Sequence, residues 1–138
     1  TLGKMLAIMK IRNIFIEIIC EAVQVGTKAG IRIEKYAGRL DFYTFAENGS
    51  VPAKFMKHLK IRIIGMKYSK LKSSSLQSLE TGRKTEIDFL NGYIVKKGNE
   101  VHVSTPLNDL LVSLVKDIED GRRAISYDNF KLSAFSRF

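Results

Sequence analysis

The sequence predicts an all-α protein that folds as a helical bundle. Two long segments carry apolar residues at helical spacing, and residues that begin and end helices lie at their edges. No segment alternates apolar and polar residues over more than a few positions, as a strand would. These observations favour about five to seven helices. The chain has 138 residues, which suits one domain with a single core.

The composition limits the possible functions. Hydrophobic residues make up 45% of the chain, enough for a core, but the most apolar run, Ile14 to Val25, is interrupted by two glutamates. We therefore expect no membrane span. Cys20 is the only cysteine, which excludes an internal disulfide and indicates a reducing, cytoplasmic setting. Since only His58 and His102 accompany it, no metal-ligand cluster is predicted.

The first long helix is predicted from Asn13 to Ala29. One narrow polar stripe runs along it, and nearly every other residue is apolar or small, so we expect this helix to be mostly buried. Gly30 is a suitable stop, because glycine adopts the left-handed conformation that ends many helices. The stripe consists of Asn13, Glu17, Glu21, Gln24 and Lys28.

The next part of the chain is harder to assign and then becomes basic. Ile31 to Asn48 is ambiguous, with a short helix as one option, whereas Pro52 to Met66 is compatible with a helix. From Lys54 to Lys72 there are seven Lys or Arg residues and no acidic residue. Such a run suits a nucleic-acid surface, but it is also typical of a solvated helix face with lysines lying over apolar neighbours. We favour the solvated face, because no RNA-binding aromatic motif accompanies the run.

A serine cluster predicts the following helix. Ser74 and Gln77 have the spacing of a capping box, so a helix should begin there, and Thr81-Gly82 should interrupt it. A hydroxyl at a helix start can also bind an anion beside the free backbone N–H groups. From the residues alone, we favour the simpler interpretation that Ser74 is an N-cap.

A second capping-like pair, Thr85 and Asp88, predicts a longer helix that runs to about Lys97 and ends at Gly98-Asn99. Glu86 would then lie on the apolar stripe of this helix. A charged group in such a place is costly unless it has a partner or a function. From the residues alone, we favour a carboxylate that stabilises the helix N-terminus. Within about 80° of Glu86 on the helical wheel are Phe89, Leu90, Tyr93 and Ile94.

The last predicted helix begins after Thr105, which can cap it, with Pro106 at the first helical position. Its apolar stripe continues to Gly121. The aromatic tail, residues 126–138, can pack back on the core, cover a partner surface or be disordered. The stripe consists of Leu107, Leu110, Leu111, Leu114 and Ile118.

Sequence motifs for self-contained catalysis are absent. The chain has no G-x-G-x-x-G, no P-loop, no G-x-S-x-G elbow and no H-E-x-x-H. What remains is a pair of polar residues, Ser74 and Glu86, each at a predicted helix start. If Thr81-Gly82 breaks the helix, the chain can turn and both side chains can point into one cleft.

The run from Ser73 to Glu119 resembles the C-terminal domain of ketopantoate reductase (2-dehydropantoate 2-reductase). The family pattern has paired serines, then G-R-x-T-E-I-D-x-L-N-G, then a T-P-x-N helix start and a K-x-x-E near the helix end. The resemblance extends from the beginning of the chain to about Glu119. The matching residues are Ser73-Ser74, Leu76-Gln77, Gly82-Arg83, Thr85-Glu86-Ile87-Asp88, Leu90-Asn91-Gly92, Thr105-Pro106, Asn108, Lys116 and Glu119.

This resemblance implies a helical bundle of the 6-phosphogluconate dehydrogenase and ketopantoate reductase type, and an enzyme that reduces a 2-keto acid with NADPH. In such enzymes the serine matching Ser74 binds the substrate carboxylate. The glutamate matching Glu86 engages the substrate hydroxyl and the catalytic lysine. The resemblance therefore favours a functional Glu86. It also implies a homodimer formed through the helical domain, without a membrane or nucleic-acid partner.

The resemblance also implies a division of the parent protein. Residues 1–125 would form the helical substrate and dimerisation domain without its first helix, which carries the catalytic lysine, and residues 126–138 would form a tail. The N-terminal Rossmann domain, which binds most of the NADPH, is absent from this chain. We therefore expect the isolated chain to be inactive. Two alternatives stay open, a small basic nucleic-acid-binding domain and a non-catalytic interaction domain.

Overall fold

The protein is all-α, as predicted. A computed structural model describes residues 1–36, 40–47, 50–70 and 72–136. Within these ranges there is no strand, and a single antiparallel bridge joins Tyr36 to Leu40. Two 3₁₀ turns, Tyr127–Lys131 and Ser133–Phe135, follow the last helix. The α-helices of the described residues are α1 (Leu2–Ala7), α2 (Met9–Lys28), α3 (Tyr43–Ala46), α4 (Val51–Lys67), α5 (Ser74–Glu80), α6 (Asn91–Glu100) and α7 (Pro106–Glu119).

The long helix α2 is the centre of the bundle and packs against α1, α3, α4, α6 and α7. It begins four residues earlier than predicted, directly after Ile8, whose extended backbone separates α1 from α2. Arg12 holds this junction, because its guanidinium donates to the carbonyls of Leu6 and Ala7 at 2.8 and 2.9 Å. The stop at Gly30 is confirmed: this glycine has φ +70° and the next amide, that of Ile31, bonds back to the Gly26 carbonyl.

Two apolar clusters lie on different sides of α2. The first joins α1, α2, α3 and α4, and the second joins α2, α7 and the tail. Phe135 is only 1% exposed and its ring centroid lies 6.0 Å from that of Phe130. The tail therefore packs back on the core through Phe135, while Arg137 and Phe138 lie outside the described residues. The buried members of the two clusters are Leu6, Ile16, Phe45 and Ile61 in the first, and Ile14, Leu107, Leu114 and Phe135 in the second.

The basic helix α4 packs against α1 on one side and exposes apolar residues on the other. A Cβ atom at Gly65 would lie 2.9 Å from the Cβ of Leu6, so the two helices approach too closely for a larger residue. Lys57 is partly buried, and its ammonium donates to the carbonyls of Phe45 and Glu47 at the end of α3. The exposed apolar residues of α4 are Val51, Phe55, Met56, Leu59, Ile63 and Met66.

Helix α6 differs from the prediction at its end. It continues through Gly98, predicted as a stop, as far as Glu100, and the chain turns through His102 at φ 59°. Gly98 is buried, and a Cβ atom there would lie 2.7 Å from the Val103 carbonyl oxygen. This glycine therefore permits close packing rather than ending the helix.

Helix α7 begins at Pro106 as predicted, but its N-cap comes from another helix. Thr105 makes no side-chain cap. Instead, the carboxylate of Glu21 in α2 accepts hydrogen bonds from the Leu107 and Asn108 amides, both at 2.9 Å. A carboxylate suits the positive end of a helix and satisfies amides that lack an intrahelical partner. Glu21 was predicted only as part of a polar stripe.

Asn108 extends this contact to α6. Its side chain is 1% exposed, and its amide group donates to Glu21 at 2.7 Å and to the Ile18 carbonyl at 3.3 Å. Its side-chain oxygen accepts a hydrogen bond from the side-chain amide of Asn91 at 2.8 Å. The Glu21–Asn108–Asn91 network therefore joins the middle of α2 to the first turns of α7 and α6.

We expect Asn108→Ala to lower the free energy of unfolding by about 2–3 kcal/mol, because it leaves buried polar groups without partners. Asn99→Ala changes an exposed asparagine of α6 and should cost less than about 1 kcal/mol. Urea denaturation followed by circular dichroism measures both. An equal, small effect of the two substitutions would contradict the importance of the network.

Candidate functional site

The segment that carries Glu86 is a turn and not a helix. Helix α6 begins at Asn91, so the predicted helix start at Thr85 and Asp88 is wrong. The Thr85 hydroxyl accepts a bond from the Ile87 amide at 3.2 Å in a local turn. The carbonyl of Glu86 then accepts from the amides of Phe89 and Leu90. We call residues 85–90 the Glu86 turn.

The last turn of α7 holds the Glu86 turn. The carboxylate of Glu119 accepts two bonds from Thr85, at 2.6 Å from the backbone amide and 2.7 Å from the hydroxyl. Lys116, one helical turn earlier, forms an ion pair with Asp88 at 2.7 Å. The hydrogen bond to Asp88 raises the pKa of Lys116. Sequence reasoning noted these residues as matches to a pattern but did not predict their contacts.

Glu86 itself is exposed, which corrects the prediction of a buried carboxylate. Its side chain makes no hydrogen bond or ion pair with any residue that the structure describes. Three of the four apolar neighbours that were predicted to share a buried stripe with it are exposed as well: Phe89 by 84%, Leu90 by 54% and Tyr93 by 51%. The fourth, Ile94, is half-buried. The buried member of the turn is Ile87, at 8%. A carboxylate beside three exposed apolar side chains is suited to contact a ligand or another domain.

Ser74 is also free to contact a ligand. Helix α5 begins at Ser74 as predicted, but the N-cap is Ser73, whose hydroxyl accepts from the Leu76 amide at 3.1 Å. Gln77 does not complete a capping box, because its amide donates to the Lys72 carbonyl. The Ser74 hydroxyl is exposed and has no hydrogen-bond partner among the described residues. Its interpretation as a simple N-cap is therefore wrong.

The predicted break at Thr81-Gly82 is confirmed. Helix α5 ends at Glu80, and Gly82 adopts φ +67°. No hydrogen bond joins Ser74 to Glu86 in the described part of the chain, so their sharing of one site stays a prediction. A cavity of about 660 Å³ lies elsewhere, between α2, α3 and Val103. Its lining residues are Val23, Gln24, Thr27, Lys28, Tyr43, Ala46, Glu47 and Val103.

Neither a phosphate-binding loop nor a metal-ligand cluster was found among the described residues. The lining of the cavity beside α2 contains no glycine, and its charged members are one cation, Lys28, and one anion, Glu47. No group of three His, Cys, Asp or Glu side chains able to hold a metal was found in residues 1–36, 40–47, 50–70 and 72–136. Nor does any described helix have the length and apolar character needed to cross a membrane.

The comparison with protein families decides what this domain is. Residues 1–119 match the family described as the C terminus of ketopantoate reductase PanE/ApbA. The chain belongs to this family. The resemblance of the T-E-I-D and T-P-x-N motifs is thereby confirmed, and so is the helical C-terminal domain that it implied. Nothing in the match supports a nucleic-acid-binding domain.

The relatives that match parts of the chain include three proteins named 2-dehydropantoate 2-reductase. The Archaeoglobus fulgidus protein is 40% identical over 62 residues, which are 45% of this chain and 21% of that protein. The Vibrio cholerae protein is 43% identical over 47 residues, 34% of this chain and 16% of that protein. The Pyrococcus horikoshii protein is 48% identical over 44 residues, 32% of this chain and 15% of that protein. The matches thus span about a fifth or less of these relatives, and no solved structure matches the chain significantly.

We expect Cys20 of this ketopantoate reductase domain to react slowly with thiol reagents. Its thiol donates to the Phe45 carbonyl at 3.0 Å, and burial, followed by the charge of Glu17, raises its pKa. Little thiolate, the reactive form, is therefore present at neutral pH. Alkylation should be at least ~10-fold slower than for free cysteine and should accelerate in denaturant. Equal rates in the folded and unfolded chain would contradict this environment.

Proposed function

We propose that this chain is the substrate-binding and dimerisation domain of an NADPH-dependent 2-keto acid reductase that converts ketopantoate to pantoate. The observation that supports this most directly is the Glu86 turn, which presents a free carboxylate beside exposed apolar side chains. Membership of the ketopantoate reductase C-terminal family and relatives named 2-dehydropantoate 2-reductase give the chemical class. The complete reaction is a proposal, because the matches span only part of those relatives.

In this proposal Glu86 accepts hydrogen bonds from the substrate hydroxyl and from a lysine outside this chain. An ionised carboxylate only accepts hydrogen bonds, and its two oxygens can serve two donors at once. Both oxygens of Glu86 are available, since they have no partner among the described residues. Once a second domain covers Phe89, Leu90 and Tyr93, exclusion of water would strengthen these bonds.

Ser74 has the complementary role in the proposal. Its hydroxyl is a donor without a partner in the described chain, so it can bond to the substrate carboxylate. The sequence carries no glycine-rich dinucleotide motif. We therefore propose that NADPH binds mainly to a domain outside this chain and that the isolated chain is inactive. The reduced Cys20 suits a cytoplasmic enzyme.

We predict that Glu86→Gln in the complete gene product lowers kcat/KM for ketopantoate by about 10²-fold, because it replaces one acceptor oxygen by an N–H donor and so misplaces the lysine and the substrate hydroxyl. The change removes the charge but keeps the shape of the side chain. Glu100→Gln, an exposed carboxylate on α6 paired with Lys97, serves as the control and should retain activity. Oxidation of NADPH with ketopantoate is the measurement. Full activity of Glu86→Gln would sink the role of Glu86.

Ser74→Ala should raise KM for ketopantoate by about tenfold and change kcat little, because it removes one hydrogen bond to a charged substrate group. Ser113→Ala, at an exposed serine of α7, is the matched control. The same NADPH assay, run over a range of ketopantoate concentrations, separates KM from kcat. An unchanged KM would remove Ser74 from the substrate site.

We also propose that two copies associate through the helical domain. The exposed apolar face of α4 is a candidate contact, since contiguous apolar faces on folded domains commonly mark interfaces. The lysines beside this face would repel each other in a dimer, so we expect association to strengthen with salt. Sedimentation of the wild type and of Phe55→Ser at low and high salt tests this. A monomer under both conditions would contradict the proposal.

A further inference from the structure

We propose that Glu119, assisted by Lys116, is a positioning residue for Glu86. This inference rests on the proposed function, in which the Glu86 carboxylate contacts the substrate. Glu119 makes no hydrogen bond or ion pair with the Glu86 side chain among the described residues. It acts through Thr85, the residue directly before Glu86, to which it makes two hydrogen bonds.

The contact of Glu119 with Thr85 is strong by its chemistry. A single carboxylate oxygen accepts both bonds, at 2.6 and 2.7 Å, and bonds to an ionised acceptor are about twice as strong as neutral ones. Both residues are partly buried, which reduces competition from water. The Thr85 hydroxyl, oriented by its bond to Glu119, can then accept from the Ile87 amide. One carboxylate thus orders the backbone before and after Glu86.

The other side of Glu86 is fixed as well. Ile87 is buried, and its carbonyl accepts a bond from the Gly92 amide at 2.9 Å at the start of α6. The Glu86 carbonyl accepts from two amides later in the turn. The side chain of Glu86 has no hydrogen-bond partner among the described residues. A reacting group on a fixed backbone loses less entropy when it meets its substrate, so fixing the turn should favour turnover.

Lys116 makes a smaller contribution. Its ion pair with Asp88 is short, but both side chains are about half exposed, at 46% and 60%. Exposed ion pairs contribute little to stability because water and salt screen them. We therefore expect Glu119 to be the main positioning residue. Lys116 would restrict the turn at Asp88, two residues after Glu86.

The experiment uses kinetics of the complete gene product. Thr85→Val keeps the shape of the side chain but removes its hydroxyl, whereas Thr85→Ser retains the hydroxyl. We expect Thr85→Val and Glu119→Ala to lower kcat about tenfold or more with KM for NADPH unchanged. Thr85→Ser, which retains the hydroxyl, should keep most of the wild-type kcat. Asp120→Ala, the residue after Glu119, is the matched control and should leave kcat unchanged.

A double-mutant cycle separates positioning from a general structural role. If Glu119 acts through Glu86, adding Glu119→Ala to Glu86→Gln should cause little further loss of kcat. If Glu119 has only a structural role, Glu119→Ala should lower kcat by the same factor in the wild type and in Glu86→Gln. Thermal melting of each variant shows whether the domain still folds.

The outcomes distinguish this inference from the proposed function. If Glu86→Gln retains full activity, or the wild type does not reduce ketopantoate, the proposed function fails and the positioning role fails with it. If Glu86→Gln is inactive while Thr85→Val and Glu119→Ala keep the wild-type kcat, only the positioning role is overturned. The positioning role would also be overturned if Glu119→Ala lowered kcat by the same factor in the wild type and in Glu86→Gln.

Discussion

The carboxylate of Glu21 at the N-terminus of α7 is the contact on which the rest of the structure depends. It satisfies two backbone amides that α7 cannot satisfy itself and, with Asn108, ties the helix to the middle of α2. The fully buried Asn108 then bonds to Asn91 at the start of α6. Because a buried polar network is favourable only when each member has a partner, this arrangement fixes the placement of three helices together.

The same helix controls both ends of the segment that carries Glu86. Near the N-terminus of α7, Asn108 holds Asn91, which follows the turn. At the C-terminus of α7, Glu119 holds Thr85, which begins the turn. The exposed carboxylate therefore sits on a backbone attached at two points to one helix of the core. This explains how an exposed turn can present Glu86 in a defined place although no described residue bonds to its side chain.

The local signals in the sequence predicted much of the fold. The apolar periodicities of α2 and α7, the stop at Gly30 and the break at Thr81-Gly82 are all confirmed, because each depends on residues close together in the chain. The caps were predicted less well. Thr105 was expected to cap α7, but Glu21, far away in sequence, takes its place. Similarly, Thr85 resembled a helix start, yet its amide and hydroxyl bond to Glu119. Hydrogen-bond acceptors that lie far away in the sequence cannot be recognised from neighbouring residues.

The sequence alone determined the helical class and the ketopantoate reductase family, and it singled out Glu86 and Ser74. Only the tertiary structure decided that both side chains are exposed and that Glu86 lies on a turn held by Glu119. The physical reason is that periodicity shows which residues share a face of a helix. Whether another helix covers that face depends on contacts between distant segments, and at Phe89, Leu90 and Tyr93 no described helix does.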